Sequence, residues 1–98
     1  MTKEEILFRK NFRKEAGELV TYINERCSSP DHENNEKQTI EFNTRNIQGK
    51  FIGQKQCENL LSSLLRGCKK KVNVFPWLET NPTTNKPSLI GFKLKINF

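Results

Sequence analysis

Residues 44–67 read TRNIQGKFIGQKQCENLLSSLLRG, and the second half of this stretch sorts its residues onto two faces. At about 100° per residue, Cys57, Leu60, Leu61 and Leu64 fall on one side of a helix over 54–66, with Leu65 at its margin. Lys55, Asn59, Ser62 and Arg66 fall on the other side. Gly67 stands where a helix end favours a left-handed residue. Ahead of this helix, Thr44 is placed to cap a short helix carrying Ile47 and Phe51, and Gly53 falls in the turn between the two, where positive φ is wanted. The apolar face needs a core to cover it. The polar face carries hydrogen-bond donors and positive charge.

On the N-terminal side, Phe8, Phe12, Ala16, Leu19 and Ile23 recur at helical spacing and predict a first helix over 3–26, with Thr2 as N-cap and Glu4 and Glu5 at its positive end. Gly17 inside it costs about 1 kcal/mol relative to Ala. A helix of this length spans about 36 Å, more than a core of this size requires. Ile6, Leu7, Val20 and Tyr22 lie off its main stripe, so this helix is expected to serve as a partner surface and to pair two copies of the chain. The run SSPDHENNEK has no apolar residue and reads as a loop. KQTIEFNT then alternates Ile40 and Phe42 with polar residues, as a short strand does.

On the C-terminal side, SLIGFKLKINF alternates without a break. Ile90, Phe92, Leu94, Ile96 and Phe98 share one face, and Gly91, Lys93, Lys95 and Asn97 the other. In KKKVNVFPWLET, Val72, Val74 and Leu78 share a face with Pro76, leaving Lys71, Asn73, Phe75 and Trp77 on the reverse. Pro76 restricts this strand to a sheet edge or imposes a bulge. The two strands predict a hairpin with a polar tip of about ten residues around Lys86.

The whole chain, 98 residues, fits one domain. The formal charge of +6 is unevenly spread: residues 1–43 hold seven basic and nine acidic residues, whereas residues 44–98 hold ten basic residues against Glu58 and Glu79 alone. A basic half of this kind attracts polyanions and points to nucleic acid as the partner, DNA ahead of RNA. Cys27, Cys57 and Cys68 are odd in number and follow no secretory segment, so the expected setting is intracellular, cytoplasmic or, in a eukaryotic host, nuclear. No apolar run reaches the length of a membrane span.

Catalysis finds little support. His32 sits beside Asp31 and Glu33 in a polar loop, as a solvated residue would, and Cys57 falls on the apolar face. The cysteines and His32 lack the close paired spacing of a structural zinc site, and no phosphate loop occurs. The expected protein is not an enzyme and takes no cofactor, metal or small-molecule substrate.

The order helix, strand, short helix, turn, amphipathic helix, strand, long loop, strand resembles the winged helix-turn-helix superfamily, most specifically over residues 44–67 and the hairpin. The resemblance implies a single α+β domain over 1–98, with a long N-terminal helix, a three-helix core, a small antiparallel sheet and a C-terminal hairpin as wing. It also implies duplex binding through helix 54–66, with Gln54, Lys55, Gln56, Asn59, Ser62 and Arg66 toward the groove. Lys69, Lys70 and Lys71 would contact phosphates, Lys86 would ride on the wing, and Arg45 and Lys50 would add charge beside the short helix. A small regulator or replication accessory protein of a mobile or viral element is the role that follows.

Two other readings stand beside it. Phe75 and Trp77, with Lys71, Lys93 and Lys95, would make a basic aromatic platform for unpaired bases. Against that, Pro76 is expected to shift the register and bury both rings against the first helix, and burial is the favoured outcome. The last reading is an adaptor or inhibitor that binds protein through the first helix.

Overall fold

The computed structural model describes residues 1–28 and 37–98 and arranges them as α1 (Lys3–Cys27), β1 (Lys37–Asn43), α2 (Gln54–Leu65), β2 (Val72–Thr80) and β3 (Pro87–Asn97). Asp31, His32 and Glu33 lie outside the described residues. β3 is the central strand. It pairs antiparallel with β1 from Lys37↔Asn97 to Asn43↔Gly91 and with β2 from Val72↔Ile96 to Thr80↔Pro87, giving the order β1-β3-β2. β1 and β2 therefore run parallel, are joined through α2, and receive β3 in the gap between them.

The alternation read from the sequence decides which face of this sheet is dry. Ile40, Phe42, Val72, Val74, Phe92, Leu94 and Ile96 turn to one side, where they meet Phe8, Phe12, Ala16 and Ile23 of α1 and Cys57, Leu61 and Leu65 of α2. The Phe12 and Phe42 rings meet edge to face with centroids 5.1 Å apart. Each fully buried large apolar side chain contributes about 1.5–3 kcal/mol. Both helices thus cover the same face, and among the described residues no element covers the opposite one.

α1 begins where Thr2 Oγ1 accepts a hydrogen bond from the Glu5 amide at 3.2 Å, which satisfies one of the orphan donors of the first turn. Gly53, at φ 106°, precedes α2 as the turn requires. The far end of α2 differs from expectation. Gly67 is not left-handed; its amide donates to Leu64 O at 3.1 Å and the Cys68 amide to Leu65 O at 3.0 Å, so the helix tightens instead of reversing.

The winged helix-turn-helix architecture is not adopted. Among the described residues there are two helices, not the three that its core requires. Residues 44–53, expected to open with a short helix, instead form an irregular strap along α1. Thr44 is buried, its hydroxyl donating to Ile90 O at 2.9 Å. Asn11 Nδ2 donates to Gln48 O at 3.2 Å, and the Lys50 amide to Glu4 O at 2.9 Å. Phe51 stacks edge-on against Phe8 but stays half exposed. Gly49 is the reason the strap can lie so close. Its φ is 111°, and a Cβ there would stand 2.5 Å from the Phe8 amide nitrogen.

The wing is absent for a different reason. β3 pairs on both sides, so the C-terminal hairpin is the body of the sheet and not an appendage beside a helical core. Its connection is shorter than expected, spanning residues 81–86, and is closed by the Asn81 amide to Lys86 O at 2.9 Å with Asn85 at φ 56°. β2 is an edge strand, as Pro76 demands, and a bulge follows between Trp77 and Leu78. The bulge breaks the alternation, so Leu78 is 47% exposed and does not share the covered face with Val72 and Val74.

Candidate nucleic-acid interface

The bare face of the sheet is built by the odd-numbered residues of all three strands. In register across it stand Thr39, Lys95 and Asn73, then Glu41, Lys93 and Phe75, then Asn43, Gly91 and Trp77. Phe75 is 46% exposed and Trp77 partly exposed. The expected burial of both rings against α1 does not occur, because the bulge falls after Trp77 and not at Pro76. Register up to Trp77 is therefore unbroken, and helix α1 lies on the other side of the sheet.

Each ring has a lysine amine over it. Lys93 Nζ lies 5.5 Å from the centroid of Trp77, and Lys95 Nζ lies 5.2 Å from that of Phe75. In both cases the lysine leans diagonally, one row along the sheet, because Lys93 stands directly opposite Phe75 and Lys95 opposite Asn73. Lys93 also faces Glu41 across the other strand pair, yet its amine is given to the indole. Gly91, buried, stands opposite Trp77. No side chain fits there, since a Cβ would stand 1.9 Å from Phe42 O. At the other end of the face, Lys37, Thr39, Asn73, Lys95 and Asn97 surround a shallow depression of about 340 Å³.

A second basic region lies at the C-terminal end of α2. Asn24 of α1 holds the chain there with both ends of its amide, donating from Nδ2 to Gly67 O at 3.0 Å and accepting from the Lys69 amide at 2.8 Å. Lys69 Nζ donates to Ser28 Oγ, and Lys70 Nζ donates to Phe98 O at 3.0 Å. Arg66 and Lys71 are exposed. Burial pushes the Cys68 thiol up from its usual range, with the nearby Cys27 adding to the shift. Cys57, fully buried under α2, is pushed up to about 11, mainly by loss of solvent, with Arg9 pulling the other way and Glu58 adding to the rise.

The remaining predicted residues are scattered. Lys55, Asn59 and Ser62 lie exposed on the outward face of α2. Gln54 and Gln56 beside them are used within the protein, Gln54 Nε2 donating to Glu58 Oε1 and Gln56 Oε1 accepting from Arg9, both at 3.2 Å. Arg45 donates to Ser88 Oγ at the base of the hairpin, Lys50 lies in the strap, and Lys86 is exposed at the hairpin tip. The α2 stripe and the pair Lys93 and Lys95 stand on opposite sides of the protein core. On α1, Ile6, Leu7 and Tyr22 are exposed, but Val20 packs against the core.

Sequence reasoning missed Lys37, Thr39, Asn73 and Asn97. Alternation within each strand puts them on the polar face; the order of the strands, which gathers them, is a tertiary fact that no single strand carries. The chain matches no family model, no curated protein and no solved structure. Among the described residues, no helix is long and apolar enough to cross a membrane.

Proposed function

We propose that this protein binds single-stranded nucleic acid on the bare face of its sheet. One observation carries the reading: two accessible aromatic rings, Phe75 and Trp77, share an uncovered sheet face with lysine amines at 5.2 and 5.5 Å. Any base can stack on such a ring, with about 1–3 kcal/mol per base, while lysines neutralise the phosphates that link the bases. Stacking on these rings competes with the resting cation–π contacts. A base that settles on Trp77 or Phe75 displaces Lys93 or Lys95, costing about 0.5–1 kcal/mol, and frees that amine for a phosphate.

Duplex DNA suits this face poorly, because its bases are already stacked on one another and offer no free ring face. The test is fluorescence anisotropy of labelled single-stranded and duplex oligonucleotides from about 50 to 200 mM salt, on the native protein and on Phe75→Ala. The single strand is expected to bind more tightly, and Phe75→Ala to weaken it about 5- to 150-fold, the equivalent of one stacked base. Equal affinity for both forms, or an unchanged Phe75→Ala, would contradict the proposal.

A further inference from the structure

The molecule holds a second basic surface that the open face does not include. A groove of about 320 Å³ runs between the end of α2 and β2, lined by Arg66, Lys69, Lys70 and Lys71 with Val72 and Val74 among the remaining wall residues, and no acidic side chain stands among the described residues of its lining. We infer that this groove is a phosphate track: it receives the backbone of a single strand after that strand crosses the β2 edge from the open face. The inference rests on the single-strand reading of the sheet and extends it.

Three observations point the same way. First, Lys71 lines the groove and directly precedes β2, two residues before Asn73 of the open face, so it stands where the two surfaces approach one another. A strand running along β2 from Phe75 passes Asn73 and then meets Lys71. Second, the backbone that carries the cations is fixed. The Asn24 clamp on Gly67 and Lys69, the Lys69–Ser28 contact and the Lys70–Phe98 contact hold residues 67–70 against the end of α1. Lys69 and Lys70 accordingly shape the wall and set its potential. Arg66 and Lys71 are exposed, their side chains make no hydrogen bond or ion pair among the described residues, and they are the ones free to contact phosphate. Third, the half-buried Val72 and Val74 give the wall an apolar part with no base-reading group, so the site suits a backbone of any sequence.

The track has a length signature. An oligonucleotide of about four nucleotides, the low end of known site sizes, occupies the open face alone, whereas one of about twelve reaches the groove. Trp77 is the only tryptophan, so its emission reports the face. Cys68 lines the groove and reports it; in a Cys27→Ser background it is the one thiol that is not buried, since Cys57 is fully enclosed.

The experiment follows Trp77 quenching and the rate of Cys68 alkylation with a four-mer and a twelve-mer of unstructured sequence. It adds the salt dependence of twelve-mer binding in the native protein and in Arg66→Gln/Lys71→Gln. The four-mer is expected to quench Trp77 and leave Cys68 reactive; the twelve-mer is expected to quench Trp77 and protect Cys68. Each single-strand phosphate contact contributes about 0.7 to the salt slope, so the double variant should lose about 1.4, and a fourfold rise in salt should weaken it about sevenfold less than the native protein. Quenching by both oligomers with Cys68 equally reactive throughout and an unchanged slope would overturn the track and leave the open face standing. Protection of Cys68 by the four-mer as strong as by the twelve-mer would overturn the continuity between the two surfaces. No quenching by either oligomer would overturn the single-strand reading and the track with it.

Discussion

The two faces of the sheet come from the same three strands, and alternate residues of each strand have opposite fates. On the covered face, Phe42, Phe92, Leu94 and Ile96 meet two helices and lose almost all contact with solvent. On the bare face, one residue away at each step, stand Glu41, Lys93 and Lys95, with Phe75 and Trp77 on the edge strand. A sheet with one wet face normally fills it with polar residues, and most of this face obeys. The two aromatic rings are the departure, and they are grouped with the lysines and not spread singly. The covered face is therefore read as what makes the protein fold, and the bare face as what it presents to a partner.

The largest effect should come from breaking the covered side. Phe92→Ala empties a site at the centre of the middle strand and should cost about 3–5 kcal/mol, read as a fall in the urea midpoint. A loss of about 0.5 kcal/mol or less, the range of a surface change, would show that the centre of the sheet is not the core. Next comes Phe75→Ala on the other side, where the pattern inverts. Stability should change by about 0.5 kcal/mol or less, whereas single-strand affinity should fall by about 1–3 kcal/mol. Urea melts and anisotropy on the same sample separate the two quantities.

Lys93→Gln and Lys95→Gln sharpen the comparison further. Each should leave the melt unchanged and reduce the salt slope of single-strand binding by about 0.7. A duplex-reading protein working through α2 would show that loss in Lys55→Gln instead.

The smallest effect belongs to the covered face and appears only in alkali. The Cys57 thiol is held protonated by burial and pushed up from 9.0 to about 11. Folding thus favours its neutral form. The stability it confers is fully present below pH 9.0, the unfolded value, and is lost as pH rises from there through about 11. Cys57→Ala should flatten that alkaline loss of stability in melts across the same range, and an unchanged pH profile would show that the thiol is not what resists ionisation.

Much of the fold could be read from the chain. The stripe of Phe8, Phe12, Ala16 and Ile23, the alternation from Ile90 to Phe98 and the two-faced helix beginning at Gln54 each declare their own period, and the structure keeps all three. What the periods do not carry is how elements meet. Residues 44–53 contain Ile47 and Phe51 at helical spacing, but Gly49 lets the backbone press against α1, and the hydrogen bonds to Glu4 and Asn11 replace those of a helix. β1 pairs with β3, forty-eight or more residues away for every partner, and that pairing turns an expected wing into the centre of a sheet. The fate of Phe75 and Trp77 hung on a single residue of register. A bulge at Pro76 would have turned Trp77 inward; its position one step later keeps both rings outside. The lysines were visible as charge, but their gathering around the rings required the strand order.

The most direct test of the central claim is the emission of Trp77 during titration with an unstructured single strand and with a duplex of matched length, beside anisotropy of the same oligonucleotides. With the rings as the binding surface, the single strand should quench Trp77 saturably, at the concentration where anisotropy rises, and the duplex should do so only weakly. Binding by anisotropy with Trp77 emission unchanged, or equal quenching by the duplex, would contradict the account.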